Sequence, residues 1–218
     1  MLAEYKDTLD NGIALAVGNG ESLLNVPRSF LEKYTTFGCN FVHWWAKRKL
    51  PEDHDLHGFC PDIWCCLDPE SLEAVPDLPS HVLKFAPPGL SKMGNASGMG
   101  MNAVYFEVVQ GKNEMNYANY STSLIFAARL AVHFGAKTIL IVGFDCSQAK
   151  GTGKKVEKGI TGAPHFYDPG HESIKRVDWD VQFETFAKWA KERDVRVLNL
   201  SEPTASTRLE QGDLENWQ

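Results

Sequence analysis

Short runs of unbroken apolar character punctuate the chain, each followed by a turn and then by a longer segment of helical or polar pattern. They are IALAV at 13–17, CNFVH at 39–43, DIWCCLD at 62–68, HVLKFA at 81–86, AVYFEVV at 103–109, TILIVGFD at 138–145 and VRVLNLS at 195–201. A strand with one wet face alternates apolar and polar residues, because successive side chains point to opposite sides. Runs that are apolar nearly throughout mark strands covered on both faces, which is the situation of a parallel sheet between helices.

The intervening segments supply those helices. In STSLIFAARLAVHF at 121–134, Ser121 stands at the cap position. Leu124, Ala127, Ala128, Ala131 and Phe134 recur at helical spacing, and Gly135 ends the pattern. A second helix is expected from about 178 to 193, with Trp179, Phe183, Phe186 and Ala190 on one face. The segment 21–34 reads as a helix broken at Pro27, which marks a new helix start. The expected fold is therefore α/β, a Rossmann-like, doubly wound and mostly parallel sheet with helices on both faces and right-handed crossovers. No repeat or second domain is visible, so residues 1–218 read as one nucleotide-binding domain. It carries a small insertion at 85–120, including the glycine-rich lid candidate PPGLSKMGNASGMG, and a mobile loop at 146–177.

Composition narrows the partners. A net charge of −6 argues against bulk nucleic acid or an anionic membrane as the main partner. No apolar run approaches the ~20 residues that span a bilayer, and MLAEYKDTLDNG lacks the pattern of a secretion signal. The 5 cysteines (Cys39, Cys60, Cys65, Cys66 and Cys146) are odd in number and form no C-x-x-C pair. Reduced thiols in a cytoplasmic protein are expected, with no metal site. The oligomeric state is not legible.

In an open parallel sheet, ligands bind beyond the carboxyl ends of the strands. The polar residues of interest gather at those ends. Gly18, Asn19, Gly20 and Ser22 follow the first strand, Asn40 lies near the end of the second, and Asp68 ends the third. Ser121, Thr122 and Ser123 open the central helix, and Gly143 and Asp145 end the strand before position 146. Asn199 and Ser201 close the last. Glycines allow a sharp turn with close backbone approach, and free amides at the next helix start favour an anion. GNGES lacks the third glycine of G-x-G-x-x-G, however, and no P-loop occurs. The turn is open to two readings, a nucleotide cradle or a plain strand–helix connection. STS is likewise a phosphate or sugar contact or a helix cap, and Asp145 holds a ribose, a metal or its own turn. APHFYDPGHES at 163–173 places His165 and His171 beside Tyr167 and Asp168. Either histidine suits general-base work near neutral pH. Incidental surface histidines and a His165–Asp168–His171 metal site are the other readings.

Taken in order, GNGESL, GCN, CPDIWCCLDP, the STS helix running into FGAKTILIVGFD, PHFYDPGH and VRVLNLSEPTAS resemble the bacterial lipooligosaccharide sialyltransferases and their phage- and bacteria-encoded relatives. The same order is similar to the broader family that includes archaeal 6-hydroxymethyl-dihydropterin diphosphokinase. Both carry a GNGPSL-like turn after the first strand and a GxD at the end of a central strand. The resemblance covers 13–207 and implies a nucleotide-sugar-dependent glycosyltransferase. Its donor would be a nucleotide-sugar such as a CMP-sugar, its acceptor a small molecule or glycan, and no cofactor would be required. Asn19, Gly20, Ser22, Asn40 and Asp68 would then face the donor, and His165 would be the base acting on the acceptor hydroxyl. Two departures stand out. Glu21 replaces the proline of GNGPSL, and Cys146, Ser147 and Gln148 stand where the family has phosphate-stabilising tyrosines. Tyr167, Ser147 and Lys154 are the substitutes at hand. The stretch PDIWCCLDP also matches the diphosphokinase branch, which implies ATP and Mg²⁺ with Asp68 and Asp145 as metal carboxylates. A third reading is a non-catalytic nucleotide-binding module.

Overall fold

The computed structural model describes residues 2–67, 71, 76–86, 103–105, 122–149, 173–175, 177–204 and 206–217. Its strands are Ile13–Val17 (β1), Thr35–Cys39 (β2), Ile63–Cys65 (β3), Leu83–Ala86 (β4), Ala103–Tyr105 (β5), Thr138–Val142 (β6), Ser147–Ala149 (β7), Ser173–Lys175 (β8) and Arg196–Asn199 (β9). Seven of them form one parallel sheet in the order β5-β4-β3-β2-β1-β6-β9. The chain builds outward from β1 through β5, then returns to place β6 and β9 on the other side of β1. The direction of growth therefore reverses at the β1–β6 seam. β7 and β8 pair antiparallel as a separate ribbon, so the two flanks of the segment expected to be a loop at 146–177 are strands.

The helices are Arg28–Leu31 (α1), Val42–Arg48 (α2), Ser123–His133 (α3) and Val177–Lys191 (α4), with 3₁₀ turns at Leu2–Tyr5, Glu21–Asn25 and Leu214–Trp217. They cover both faces. Ala14 and Ala16 of β1 share one core cluster with Ala127, Ala128 and Ala131 of α3 and Phe183, Phe186 and Ala190 of α4. Leu15 and Val17, on the opposite face, join Leu23, Phe30 and Leu31 and the α2 residues Val42 and Ala46. This alternation within an all-apolar strand is the two-sided burial that the runs predicted. Among the described residues no helix is long and apolar enough to cross a membrane.

Several strands are shorter than their apolar runs, β3, β4 and β9 among them, and three further differences from expectation have a visible cause. The second strand is Thr35–Cys39, four residues earlier than CNFVH at 39–43. The Thr36 N–H and hydroxyl both donate to Asp62 Oδ2 at 2.8 Å, and the hydroxyl accepts from the Asp62 N–H at 2.9 Å, which pins β2 beside β3 at its amino end. Asn40 then takes a φ of +52°, which ends the strand, and of the apolar residues after it Phe41 is the N-cap of α2 and Val42 its first residue. The helix expected over 21–34 divides into the 3₁₀ turn Glu21–Asn25 and the four-residue α1, with Pro27 as the N-cap between them. The strand expected at 138–145 stops at Val142, because Gly143 turns with a φ of +68°. Most of 85–120 and of 146–177 lies outside the described residues, although Ala103–Tyr105 within the first is a strand of the main sheet.

Candidate functional site at the carboxyl edge of the sheet

β1 and β6 end side by side where the strand order reverses, the place at which open parallel sheets bind ligands. Their loops interlock. The Gly18 N–H donates to the Val142 carbonyl at 2.9 Å and the Gly20 N–H to the Gly143 carbonyl at 2.8 Å. A Cβ on Gly18 would lie 2.5 Å from the Gly143 carbonyl oxygen, and one on Gly143 would lie 2.7 Å from that of Gly18. Glycine at both positions is therefore dictated by backbone meeting backbone.

Asp145 completes the seam. Its carboxylate accepts from the Ser22 N–H, at 3.1 Å to Oδ2 and 3.3 Å to Oδ1, and from the Ser22 hydroxyl. The Glu21 backbone contributes a further hydrogen bond. Burial pushes the Asp145 carboxyl above the ordinary range, and the Glu21 carboxylate adds to that push, while the bonds from Ser22 and Glu21 oppose it. The amides that GNGES offers to an anion thus meet a carboxylate of the same chain. The turn that Asp145 holds is the one after β1, 123 residues away in the chain, rather than its own. Phe144, between Gly143 and Asp145, is fixed from the segment that follows β9. Its N–H donates to Ser201 Oγ at 2.8 Å and its carbonyl accepts from Thr204 Oγ1 at 2.9 Å.

The asparagines stand differently. Asn19 is 7% exposed, and its Nδ2 donates to the Cys39 carbonyl at 3.3 Å. That carbonyl belongs to the peptide whose N–H is Asn40's, so Asn19 bonds across the β1–β2 boundary to the peptide that leads into Asn40. The Asn40 N–H donates to the Cys65 carbonyl at 3.0 Å, and its own carbonyl accepts from Trp64 Nε1 at 2.6 Å. Asn19 Oδ1 and Asn40 Oδ1 are both buried with no donor among the described residues. An unmet buried acceptor costs about 1–3 kcal/mol. Two of them at one sheet edge mark a place that calls for donors.

Thr122 and Ser123 of the STS segment are used by the fold itself. Thr122 is the N-cap of α3, its Oγ1 accepting from the Ile125 N–H at 3.2 Å. Ser123 Oγ accepts from the Leu67 N–H at 3.0 Å, tying the end of β3 to the helix start. Asp68, Ser121, His165 and His171 lie outside the described residues. None of the five cysteines is in a disulfide. Burial, with Cys39 and Cys66 nearby, pushes the Cys65 thiol well above its ordinary value, and burial raises Cys60 to about 11, so both are neutral packing groups. Sequence reasoning missed Trp64 and Thr204, whose roles arise from contacts between distant segments.

No protein-family model matches this chain, and no curated protein matches it. The functional reading stands on the geometry of this edge and on the motif order.

Proposed function

We propose that the chain is a Rossmann-like, doubly wound glycosyltransferase of the sialyltransferase-like kind, taking a nucleotide-sugar donor at the carboxyl edge of the sheet. The observation that carries the reading is the pair of buried acceptors at the ends of β1 and β2, Asn19 Oδ1 and Asn40 Oδ1, with no donor among the described residues. A nucleoside presents the matching chemistry, since ribose hydroxyls and base amino groups are donors. The donor's phosphate is held away from GNGES, because Asp145 occupies the Ser22 amide and would repel it. The catalytic step follows the family resemblance. The acceptor hydroxyl gives its proton to the His165 imidazole as its oxygen bonds to the anomeric carbon, and the nucleotide phosphate leaves with the electrons of the broken bond. Metal is not needed for that balance of charge if side chains meet the leaving phosphate.

The test is a thermal-shift panel of nucleotides and of CMP- and UDP-sugars, with and without Mg²⁺. A matching nucleotide at one hundred times its Kd stabilises by about 2.7 kcal/mol, or roughly 5–10 °C for a domain of this size. The expected result is such a shift without Mg²⁺, abolished in Asn40→Ala. Donor turnover should fall on the order of 10²–10⁴-fold in His165→Ala. Equal turnover by His165→Ala and wild type removes the assigned base. A shift seen only with ATP and Mg²⁺ replaces the reading with pyrophosphoryl transfer, and no shift with any nucleotide removes both.

A further inference from the structure

We propose that Trp64 is a positioning residue for the ligand site, acting through Asn40. Its indole N–H donates to the Asn40 carbonyl at 2.6 Å while the neighbouring β3 residue Cys65 accepts from the Asn40 N–H at 3.0 Å. The backbone of Asn40 is thereby held on both sides by consecutive residues of one strand. That grip matters because Asn40 sits at a φ of +52°. Left-handed backbone is unfavourable for residues other than glycine, although asparagine tolerates it better than most. With one of the two bonds removed, Asn40 is freer to return to ordinary dihedrals, and a change in φ swings the direction of its side chain. Its Oδ1, without a donor among the described residues, would then leave its buried place.

Trp64 is itself rigidly seated. It is 1% exposed and belongs to a small core cluster with Cys66, Leu78, Val82 and Ala86, on the face opposite α3. The large ring serves as packing, and its one polar atom is directed at one carbonyl. An indole N–H that is buried seeks an acceptor. Here the acceptor is the backbone of a residue whose side-chain oxygen has no donor among the described residues. The inference rests on the reading of Asn40 as an acceptor that meets the ligand, and it adds the residue that aims that acceptor.

The experiment separates aiming from packing. Trp64→Phe keeps an aromatic ring in the cluster and deletes the N–H. Val82→Ala loosens the same cluster without touching the Asn40 carbonyl. The nucleotide identified by the thermal-shift panel should bind roughly five- to tenfold more weakly to Trp64→Phe, the range of one hydrogen bond's net contribution. It should bind Val82→Ala as tightly as wild type. Replacing Trp64 site-specifically with benzothienylalanine, in which sulfur stands for the N–H, preserves ring volume and should reproduce the loss if Trp64→Phe folds poorly. A ligand-free readout accompanies these. In ¹⁵N relaxation of the unliganded protein, the Asn40 backbone and side-chain amides should be ordered in wild type and in Val82→Ala, and should lose order in Trp64→Phe. Unchanged Asn40 order in Trp64→Phe, or the same loss in Val82→Ala, overturns the proposal. If no nucleotide binds wild type, the functional reading fails while the relaxation arm still decides the role of Trp64.

Discussion

Gly143 and Asp145, two residues apart, hold the β1–β6 seam by different means. Gly143 combines a φ of +68° with a backbone so near Gly18 that an added Cβ would lie 2.7 Å from a carbonyl oxygen. Gly143→Ala therefore suffers both left-handed strain of about 1–2 kcal/mol and a contact that only backbone movement relieves. A loss of about 3 kcal/mol or more is expected in urea unfolding, and a midpoint equal to wild type would contradict the interlock. Asp145 makes a subtler prediction. Burial raises its carboxyl above the unfolded value, so the folded chain takes up this proton more readily than the unfolded chain. The stability tied to that proton is fully present below the ordinary carboxylate value of about 3.9 and declines as pH rises through the folded value. Unfolding curves across acidic pH should show this decline in wild type relative to Asp145→Asn, which has no carboxyl to titrate. A wild type that gains stability over Asp145→Asn as pH rises would show that the Ser22 and Glu21 bonds outweigh burial.

Elements whose burial is decided by their own composition are legible from sequence. IALAV is β1 to the residue, and the core of TILIVGFD is β6, because a run apolar on both faces has only one place to go. The helices α3 and α4 follow from spacing, and Thr122, one residue after the expected Ser121, is the cap actually used. The boundary between β2 and α2 is illegible for a physical reason. GCNFVHWW is apolar through the junction, and what divides strand from helix is the φ of Asn40, held from β3. Thr35 and Thr36, both β-branched and the second tied to Asp62, carry the strand instead. The same distinction runs through the site. Asn19 and Asn40 are visible as polar residues at strand ends. The occupation of the Ser22 amide by Asp145 joins residues 123 apart in the chain, and the Trp64–Asn40 bond joins residues 24 apart. Neither pairing leaves a local pattern. GNGES has the composition of an anion cradle, and only the fold shows that the chain brings its own anion to it.

Across the whole molecule, a C-terminal arm links the two faces of the sheet, and Asp180 is its anchor. Asp180 on α4 is fully buried, and its carboxylate accepts from Ser206 Oγ at 2.7 Å, from the Thr207 N–H and hydroxyl at 3.2 Å each, and from the Arg208 N–H at 3.3 Å. Beyond that anchor Leu209 enters the α3–α4 core, and the Glu210 carbonyl and Gly212 N–H bond to Asn199 at 2.9 Å each, covering that part of the outer edge of β9. The arm then reaches the opposite face, where Leu214 and Trp217 pack and the Trp217 carbonyl accepts from Lys33 Nζ at 3.0 Å and Tyr34 Oη at 2.8 Å. Asp180→Ala takes this acceptor from the buried Ser206 hydroxyl and from the part-buried Thr207 and Arg208 N–H groups, a loss of about 2–4 kcal/mol. It should also release the arm, because the anchor precedes every later contact. An uncovered β9 is a template for strand pairing between molecules. Limited proteolysis should cut Asp180→Ala within 206–217 faster than wild type, and light scattering should rise with its concentration. Asp180→Asn, retaining one carbonyl oxygen, should fall between the two. If Asp180→Ala loses stability while 206–217 stays protected, the later contacts hold the arm without its anchor, and α4 and the arm are separate units rather than one closure around the sheet.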